Sequence, residues 1–242
     1  MVTIIIPYMD NGCTFRERNL KYILNTVVQL SLPVILAEQC VDSTNNKRYT
    51  TLNARHCKYN HSITMFHKTW LLNSALEEVK TPYVWILDGD CYFNYQQSYD
   101  AWVPDTYYQP YGVCKDLNEV QTRDIIKNKD IPSRSMDSNG TDDREVKMYG
   151  AMSFIAPVDK IYQLDMFNEK YVGYGYEDYD IYIKARNNGK IIIASHVNAV
   201  HLWHPPTHKG LLYNKEIFHQ TGNTKQTVKN QIESDYSTMN ET

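Results

Sequence analysis

Short β-branched runs and amphipathic stretches alternate along this chain, and that alternation restricts its fold more than any other feature. Val2-Thr-Ile-Ile-Ile6, closed by Pro7, reads as a buried strand. Asn11-Gly12 makes a loop, and from Arg16 to Leu30 the apolar residues Leu20, Ile23, Leu24, Val27 and Val28 recur at helical spacing. Pro33 opens a second strand, Val34 to Ala37, ending at Glu38. Phe66 to Val79 repeats the helical pattern through Trp70, Leu71, Leu72, Ala75 and Leu76; Thr81-Pro82 breaks it, and Tyr83 to Leu87 is an almost wholly apolar strand. Strands apolar on both faces, separated by helices, predict an α/β fold with a mostly parallel sheet covered on both sides. Such sheets gather ligands beyond the carboxyl ends of their strands, where Pro7-Tyr8, Glu38 and Asp88 fall.

The second half is less regular. Asn94 to Tyr111 is aromatic and polar, Leu117 to Lys127 fits a helix, and Pro132 to Asp143 reads as a long polar loop. Lys147 to Ala156 reads as a strand followed by a helix with Asp159 near its start. Gly173, Gly175 and a run of acids precede a helix through Arg186 that stops at Asn188-Gly189. Lys190 to Ser195 and Val197 to His201 are short strands, and the polar tail from Gly210 is compatible with a helix. No clean boundary divides the chain, so one domain over 1–242 is expected, with halves at about 1–95 and 145–205 and a tail at 206–242.

With 42% hydrophobic and 22% charged residues the composition excludes a disordered or fibrous chain. The longest apolar runs are far too short to span a bilayer, and Met1 leads straight into a strand-like run with no basic start or cleavable segment. Five cysteines without a C-x-x-C pair suit reduced thiols. Together these features predict a cytoplasmic protein of a bacterial or viral host cell, and nothing marks an obligate protein partner. A formal net charge of −3 argues against a dedicated nucleic-acid binder.

Three stretches carry chemistry. Asp88-Gly89-Asp90 follows the most hydrophobic strand, and carboxylates where a buried strand meets solvent are costly unless something positive binds there. Oxygen ligands of this kind suit Mg²⁺ or Mn²⁺, which in turn holds a diphosphate, and Gly89 lets a bulky phosphate approach the backbone. In isolation the pair is equally well read as solvated acids in a turn. Tyr174-Gly-Tyr-Glu177-Asp178-Tyr-Asp180 puts Glu177 and Asp178 in a helical first turn, where acids favour the dipole; one of them is also a candidate general base. His201-Leu-Trp-His204 follows a short strand, and His201 can complete a metal sphere as a neutral imidazole, with His204 a spare candidate.

In order and spacing, these segments resemble the GT-A glycosyltransferases, closest to the branch of β-1,4-galactosyltransferases and bacterial chondroitin polymerases. Ile6-Pro7-Tyr8 with Phe15-Arg16-Glu17-Arg18-Asn19-Leu20-Lys21-Tyr22 is similar to that branch's amino-terminal signature. Phe66-His-Lys68-Thr-Trp-Leu-Leu-Asn73 running to Leu87-Asp88-Gly-Asp90 is similar to its helix and D-x-D strand. Val172-Gly-Tyr174-Gly-Tyr-Glu177-Asp178-Tyr-Asp180-Ile181 is similar to its W-G-x-G-G-E-D-D-D segment, with Tyr174 and Val172 where the branch has tryptophan. The resemblance implies a GT-A, Rossmann-like sheet with a small additional antiparallel strand pair. It further implies a nucleotide-binding first half, an acceptor-binding and metal-completing second half, and a Mn²⁺ (or Mg²⁺) cofactor. In it Asp90 and His201 ligate the metal, and Asp88 contacts a metal water or the ribose. Pro7, Tyr8, Arg16, Glu38, Phe66, Lys68, Gly89 and Tyr174 bind the donor. Asp178 is the base, with Glu177 beside it.

The implied reaction is transfer, with inversion, of a sugar from a nucleotide diphosphate donor, a UDP-sugar by preference, to a glycan hydroxyl. Hydroxymethylated bases of phage DNA are an alternative acceptor, served by Lys115, Arg123, Lys127, Lys129 and Arg134 if these form a patch, although a solvated face is the better account of them. Nucleotidyl transfer ranks below, because it usually needs a glycine-rich loop near the first strand and only Gly12 lies there. A non-catalytic sugar-nucleotide-binding module is opposed by the joint presence of Asp88, Asp90, Asp178 and His201.

Overall fold

From Val2 to Tyr8 the first strand is buried without interruption, which places it inside a sheet rather than at its edge. The computed structural model describes residues 1–40, 54–128 and 153–224, together with Val228 and Asn230. Its first half runs β1 (Val2–Met9), α1 (Thr14–Val27), β2 (Val34–Cys40), β3 (Ala54–Asn60), α2 (Lys68–Leu76) and β4 (Tyr83–Leu87). The middle holds β5 (Cys91–Tyr92), α3 (Tyr95–Asp100), β6 (Tyr107–Gln109), β7 (Val113–Asp116) and α4 (Glu119–Asn128). The remainder is β8 (Ser153–Pro157), α5 (Val158–Gln163), α6 (Glu177–Asn188), β9 (Ile191–Ile193), β10 (Asn198–His201) and α7 (Leu211–Gln220).

A seven-stranded sheet has the order β3-β2-β1-β4-β8-β6-β9. The pairs from β3 to β4 are parallel, β8 is antiparallel to both β4 and β6, and β6 and β9 are parallel again. Alternation along β1 divides the core: Ile4 and Ile6 pack with Leu20 and Leu24 of α1, whereas Ile5 packs with Leu71 and Leu72 of α2. Val84 to Leu87 of β4 are fully buried. At roughly 1.5–3 kcal/mol per buried apolar side chain, that run fixes the strand inside the sheet and delivers Asp88-Gly89-Asp90 at its carboxyl edge.

A second sheet, β5-β10-β7, holds β10 between an antiparallel and a parallel neighbour. It is larger than the expected strand pair. Several boundaries also move. β2 continues past Glu38 to Cys40, and α2 begins at Lys68 rather than Phe66. α1 gives way after Val27 to a 3₁₀ turn, Val28–Leu30. The edge strand β3 was not expected, because its polar, half-exposed residues lack an apolar run. The predicted loop at 132–143, the start of the predicted strand at 147–152, Lys129, Arg134 and most of the tail beyond 224 lie outside the described residues. Among the described residues no helix is long and apolar enough to cross a membrane.

Candidate active site

The antiparallel pairing of β5 with β10 puts His201 opposite Cys91, and the Leu202 amide extends that ladder by donating to the Asp90 carbonyl at 2.8 Å. Residues far apart in sequence thereby become neighbours. His201 Nε2 stands 3.6 Å from Asp90 Oδ1, and His204 Nε2 stands 3.3 Å from Asp90 Oδ2. Ligand atoms of the three side chains all lie within 4.8 Å of one another. The far nitrogens are engaged elsewhere: His201 Nδ1 with Asp116 Oδ1 at 2.9 Å, and His204 Nδ1 with the Pro205 carbonyl at 2.9 Å. Outer partners on Nδ1 orient an imidazole and leave Nε2 to ligate, the arrangement that metal-binding histidines commonly show. The donor set therefore fits a divalent cation.

Burial pushes the Asp90 carboxyl up, but the facing His201 and His204 outweigh it and hold it well below the usual carboxylate range. Burial likewise lowers His201, and Asp90 with Asp116 more than reverses this, raising it well above an ordinary imidazole. A proton on His201 thus supplies positive charge that a cation would supply instead, so metal uptake should release it. Arg16 adds a further cation, with Nη1 3.8 Å from Asp90 Oδ2.

Asp88 stands outside this triad. Lys68 Nζ, at the start of α2, reaches Asp88 Oδ1 at 2.9 Å, Asp178 Oδ1 at 3.0 Å and Glu177 Oε1 at 3.9 Å. The lysine is buried, which lowers its proton affinity, yet Asp178, Asp88 and Glu177 together raise it well above the ordinary value. Burial pushes Asp88 up to about 7 against the pull of Lys68. Glu177 rises to about 8 through burial and then the Asp178 charge, and its Oε2 is buried without a partner. One ammonium thus ties the D-G-D turn to the first turn of α6.

That turn is held in an unusual conformation. Tyr176, which precedes α6, has φ 75°, a left-handed value that costs a tyrosine energy and survives where packing enforces it. Tyr176 packs against Phe218 of α7 at 5.4 Å between ring centroids. Upstream, Gly173 donates to the Phe66 carbonyl and Tyr174 to the Lys209 carbonyl, both at 2.8 Å. Tyr174 is half exposed, and the charges of Glu177, Asp116 and Asp178 all act on its hydroxyl.

At the neighbouring strand ends, Tyr8 pairs in register with Glu38. Glu38 is buried, its Oε2 meets His56 Nε2 at 2.7 Å and Lys58 at 3.7 Å, and its Oε1 has no partner. Phe66 is partly buried against the core on the α2 side of the sheet and, through its carbonyl, touches the Gly173 loop. Pro7 is buried within β1. The Cβ that Gly89 lacks would fall 3.2 Å from Leu20 Cδ1 and 3.6 Å from Ile6 Cγ2, so a side chain here would press on the packing of α1 against β1.

Sequence reasoning assembled Asp90, His201, Asp88, Lys68, Glu177 and Asp178 and held His204 in reserve. It missed Asp116, whose strand has too short a pattern to read, and Glu38's partners His56 and Lys58, which lie on the unexpected β3.

No protein-family model matches the sequence, and no curated protein does. The fold is nevertheless that of the GT-A glycosyltransferases. S. aureus TarS in complex with UDP-GlcNAc is 17% identical, with TM-score 0.53 over 86% of this chain and 60% of its own. GalNAc-T7 with UDP, GalNAc and Mn²⁺ is 10% identical, with TM-score 0.54 over 89% of this chain and 47% of its own. A mutant of the Drosophila β1,4-galactosyltransferase 7 with manganese, UDP-Gal and xylobiose is 11% identical, with TM-score 0.50 over 79% of this chain and 63% of its own. This chain spans less than two thirds of the length of each of the three.

Proposed function

We propose that the chain is a metal-dependent, inverting glycosyltransferase that moves a sugar from a nucleotide diphosphate donor, a UDP-sugar by preference, to a glycan hydroxyl. The observation that carries this reading is the convergence of Asp90, His201 and His204 beside a carboxylate cluster joined by Lys68. Solved structures of the same fold, named above with UDP, sugars and manganese, support it. A divalent cation held by Asp90, His201 and His204 would neutralise charge on the donor diphosphate, and the mixed imidazole–carboxylate set favours Mn²⁺ over Mg²⁺.

The chain's own groups have distinct tasks. Glu38 Oε1, buried and unpartnered, accepts an N–H from the donor base, with Pro7, Tyr8 and Phe66 lining the nucleoside. Arg16 and Lys68 bring positive charge toward the diphosphate, while Asp88 orients Lys68 and faces the ribose. Tyr174 offers its ring to a sugar. Asp178, the more exposed of the α6 carboxylates at 24% against 13% for Glu177, takes the acceptor proton. As it does so, the acceptor oxygen bonds to the anomeric carbon and the bond to the diphosphate breaks on the opposite face. Glu177 holds its own proton near neutral pH and donates a hydrogen bond to a sugar hydroxyl.

Base assistance contributes about two to four powers of ten in rate. Asp178→Asn should therefore lower turnover by roughly 10²- to 10⁴-fold with donor affinity nearly unchanged. A thermal-shift series of UDP-, GDP- and dTDP-sugars with and without Mn²⁺, followed by turnover of the stabilising donor, measures both. Absence of any Mn²⁺-dependent donor binding in the parent protein would end the proposal.

A further inference from the structure

His201 and His204 are separated by Leu202 and Trp203, and the chain from Leu202 to His208 forms no helix or strand. His201 ends β10 and is held by its ladder, whereas His204 stands on irregular backbone and can converge on the same carboxylate only if something outside the segment fixes the chain between them. The Leu202–Trp203 stretch is fastened at each of its backbone amides and carbonyls. The Leu202 amide donates to Asp90 as above, and the Trp203 amide donates to Thr122 Oγ1 of α4 at 2.8 Å. Both carbonyls, Leu202 O and Trp203 O, accept from one group, Asn19 Nδ2 of α1, at 3.1 Å each. Asn19 is fully buried. Arg18 donates to Asn19 Oδ1 through Nε at 3.3 Å and Nη2 at 3.1 Å, which fixes which end of the amide faces the carbonyls, and Nη2 also reaches Trp203 O at 3.4 Å. Phe15 seats the Trp203 ring edge-on, with centroids 4.9 Å apart.

We infer that Asn19 is a positioning residue for the metal site, setting His201 and His204 against Asp90 through the two carbonyls between them. The inference rests on the metal-binding reading above and adds to it a residue that touches neither cation nor substrate. A carbonyl pair read by one side-chain amide has little freedom: the Trp203 carbonyl lies in the peptide that carries His204, and the Leu202 carbonyl fixes the far side of the residue whose amide is held by Asp90 directly after His201. An Asp at this position would set a carboxylate against the same two oxygens.

The test is Mn²⁺ affinity, read by the electron paramagnetic resonance of free Mn²⁺ in titrations of intact protein without donor. Outer-shell partners of metal ligands typically contribute about 10- to 100-fold in affinity, and Asn19→Ala should lose that much. Asn73 is the control. It is another buried asparagine, joining α2 to the Phe167 carbonyl and Glu169 Oε1 at 2.9 and 2.8 Å, far from the triad in the fold's connectivity. Asn73→Ala should lower thermal stability comparably while binding Mn²⁺ as the parent does. Should Asn19→Ala not fold, Arg18→Met at a partly exposed position removes the guanidinium that holds the amide, and should weaken Mn²⁺ several-fold, at about the lower end of that range. Parent-like Mn²⁺ affinity in Asn19→Ala or Arg18→Met, or equal weakening in Asn73→Ala, overturns the inference and leaves the metal site standing. Failure of the parent itself to bind Mn²⁺ overturns both.

Discussion

At Glu177, burial and the Asp178 charge raise the carboxyl to about 8 against the pull of Lys68. The unfolded chain gives up that proton near the ordinary glutamate value of about 4.3, so between these limits the folded state holds a proton that the unfolded state has lost. Stability therefore falls as pH rises through this window, and the destabilisation is complete above about 8. A glutamine carries no such dependence. Glu177→Gln should melt close to the parent near pH 4.5 in chelator and above it at pH 9. For a chain of this length a gain of about 1 kcal/mol appears as roughly 2–4 °C. Thermal melts at about pH 4.5, 7 and 9 decide the matter, and a parent–variant difference independent of pH would show that the carboxyl is not held protonated.

Among elements, α1 and α7 do more than cover the sheet. α1 holds the segment between the histidines through Asn19, and α7 holds the acidic loop, since Asn214 accepts from the Val172 amide at 3.1 Å and donates to the Tyr174 carbonyl at 3.2 Å. Gly173 and Gly210 make that contact possible. A Cβ on Gly173 would fall 2.3 Å from the Lys209 carbonyl oxygen, and one on Gly210 would fall 2.2 Å from that of Val172. Gly12 has a similar φ, +76° against +83° for Gly173, but a Cβ there meets nothing within 4 Å. Gly12→Ala should cost only the left-handed conformation, about 1–2 kcal/mol. Gly173→Ala should cost about 1–3 kcal/mol more, the usual toll of overpacking, and should lower turnover because Tyr174 moves with it. Equal losses in denaturant melts would mean that the loop and α7 part freely. The same contrast explains what was legible. β1, β4 and the two helices beside them carry long apolar patterns written in consecutive residues, and D-G-D, E-D and H-x-x-H are local strings. Thr122 and Asp116 join the site only through tertiary contact and their immediate neighbours in sequence give no hint of it, while Asn19 lies in the Phe15–Tyr22 stretch but its hold on the histidine segment is visible only in the fold. β3 and β5 to β7 are short or half exposed, so no periodicity accumulates along them.

Over the whole molecule, acids outnumber bases, 28 Asp and Glu against 25 Lys and Arg. Several described surface cations face acids of this same chain: Lys21 faces Glu17 at 2.8 Å, Arg55 pairs with Glu78, Arg123 lies 3.8 Å from Glu119, and Lys184 lies 3.5 Å from Asp180. Such pairs add little stability at a solvated surface, but each cancels a charge that a polyanion would need. A DNA acceptor demands the opposite arrangement. Making six to ten phosphate contacts would release counterions and reduce affinity by about 10³- to 10⁵-fold between 50 and 200 mM salt. A neutral glycan held by aromatic rings and hydroxyls releases none, and its KM should stay within about twofold over that range, since screening acts on exposed charges. The expected outcome is weak binding of hydroxymethylated duplex DNA at physiological salt, with a shallow salt slope in fluorescence anisotropy. Tight binding with a slope of several charges would instead assign Lys115, Arg123 and Lys127 to a DNA-facing surface and replace the glycan as acceptor, with the role proposed for Asp178 unchanged.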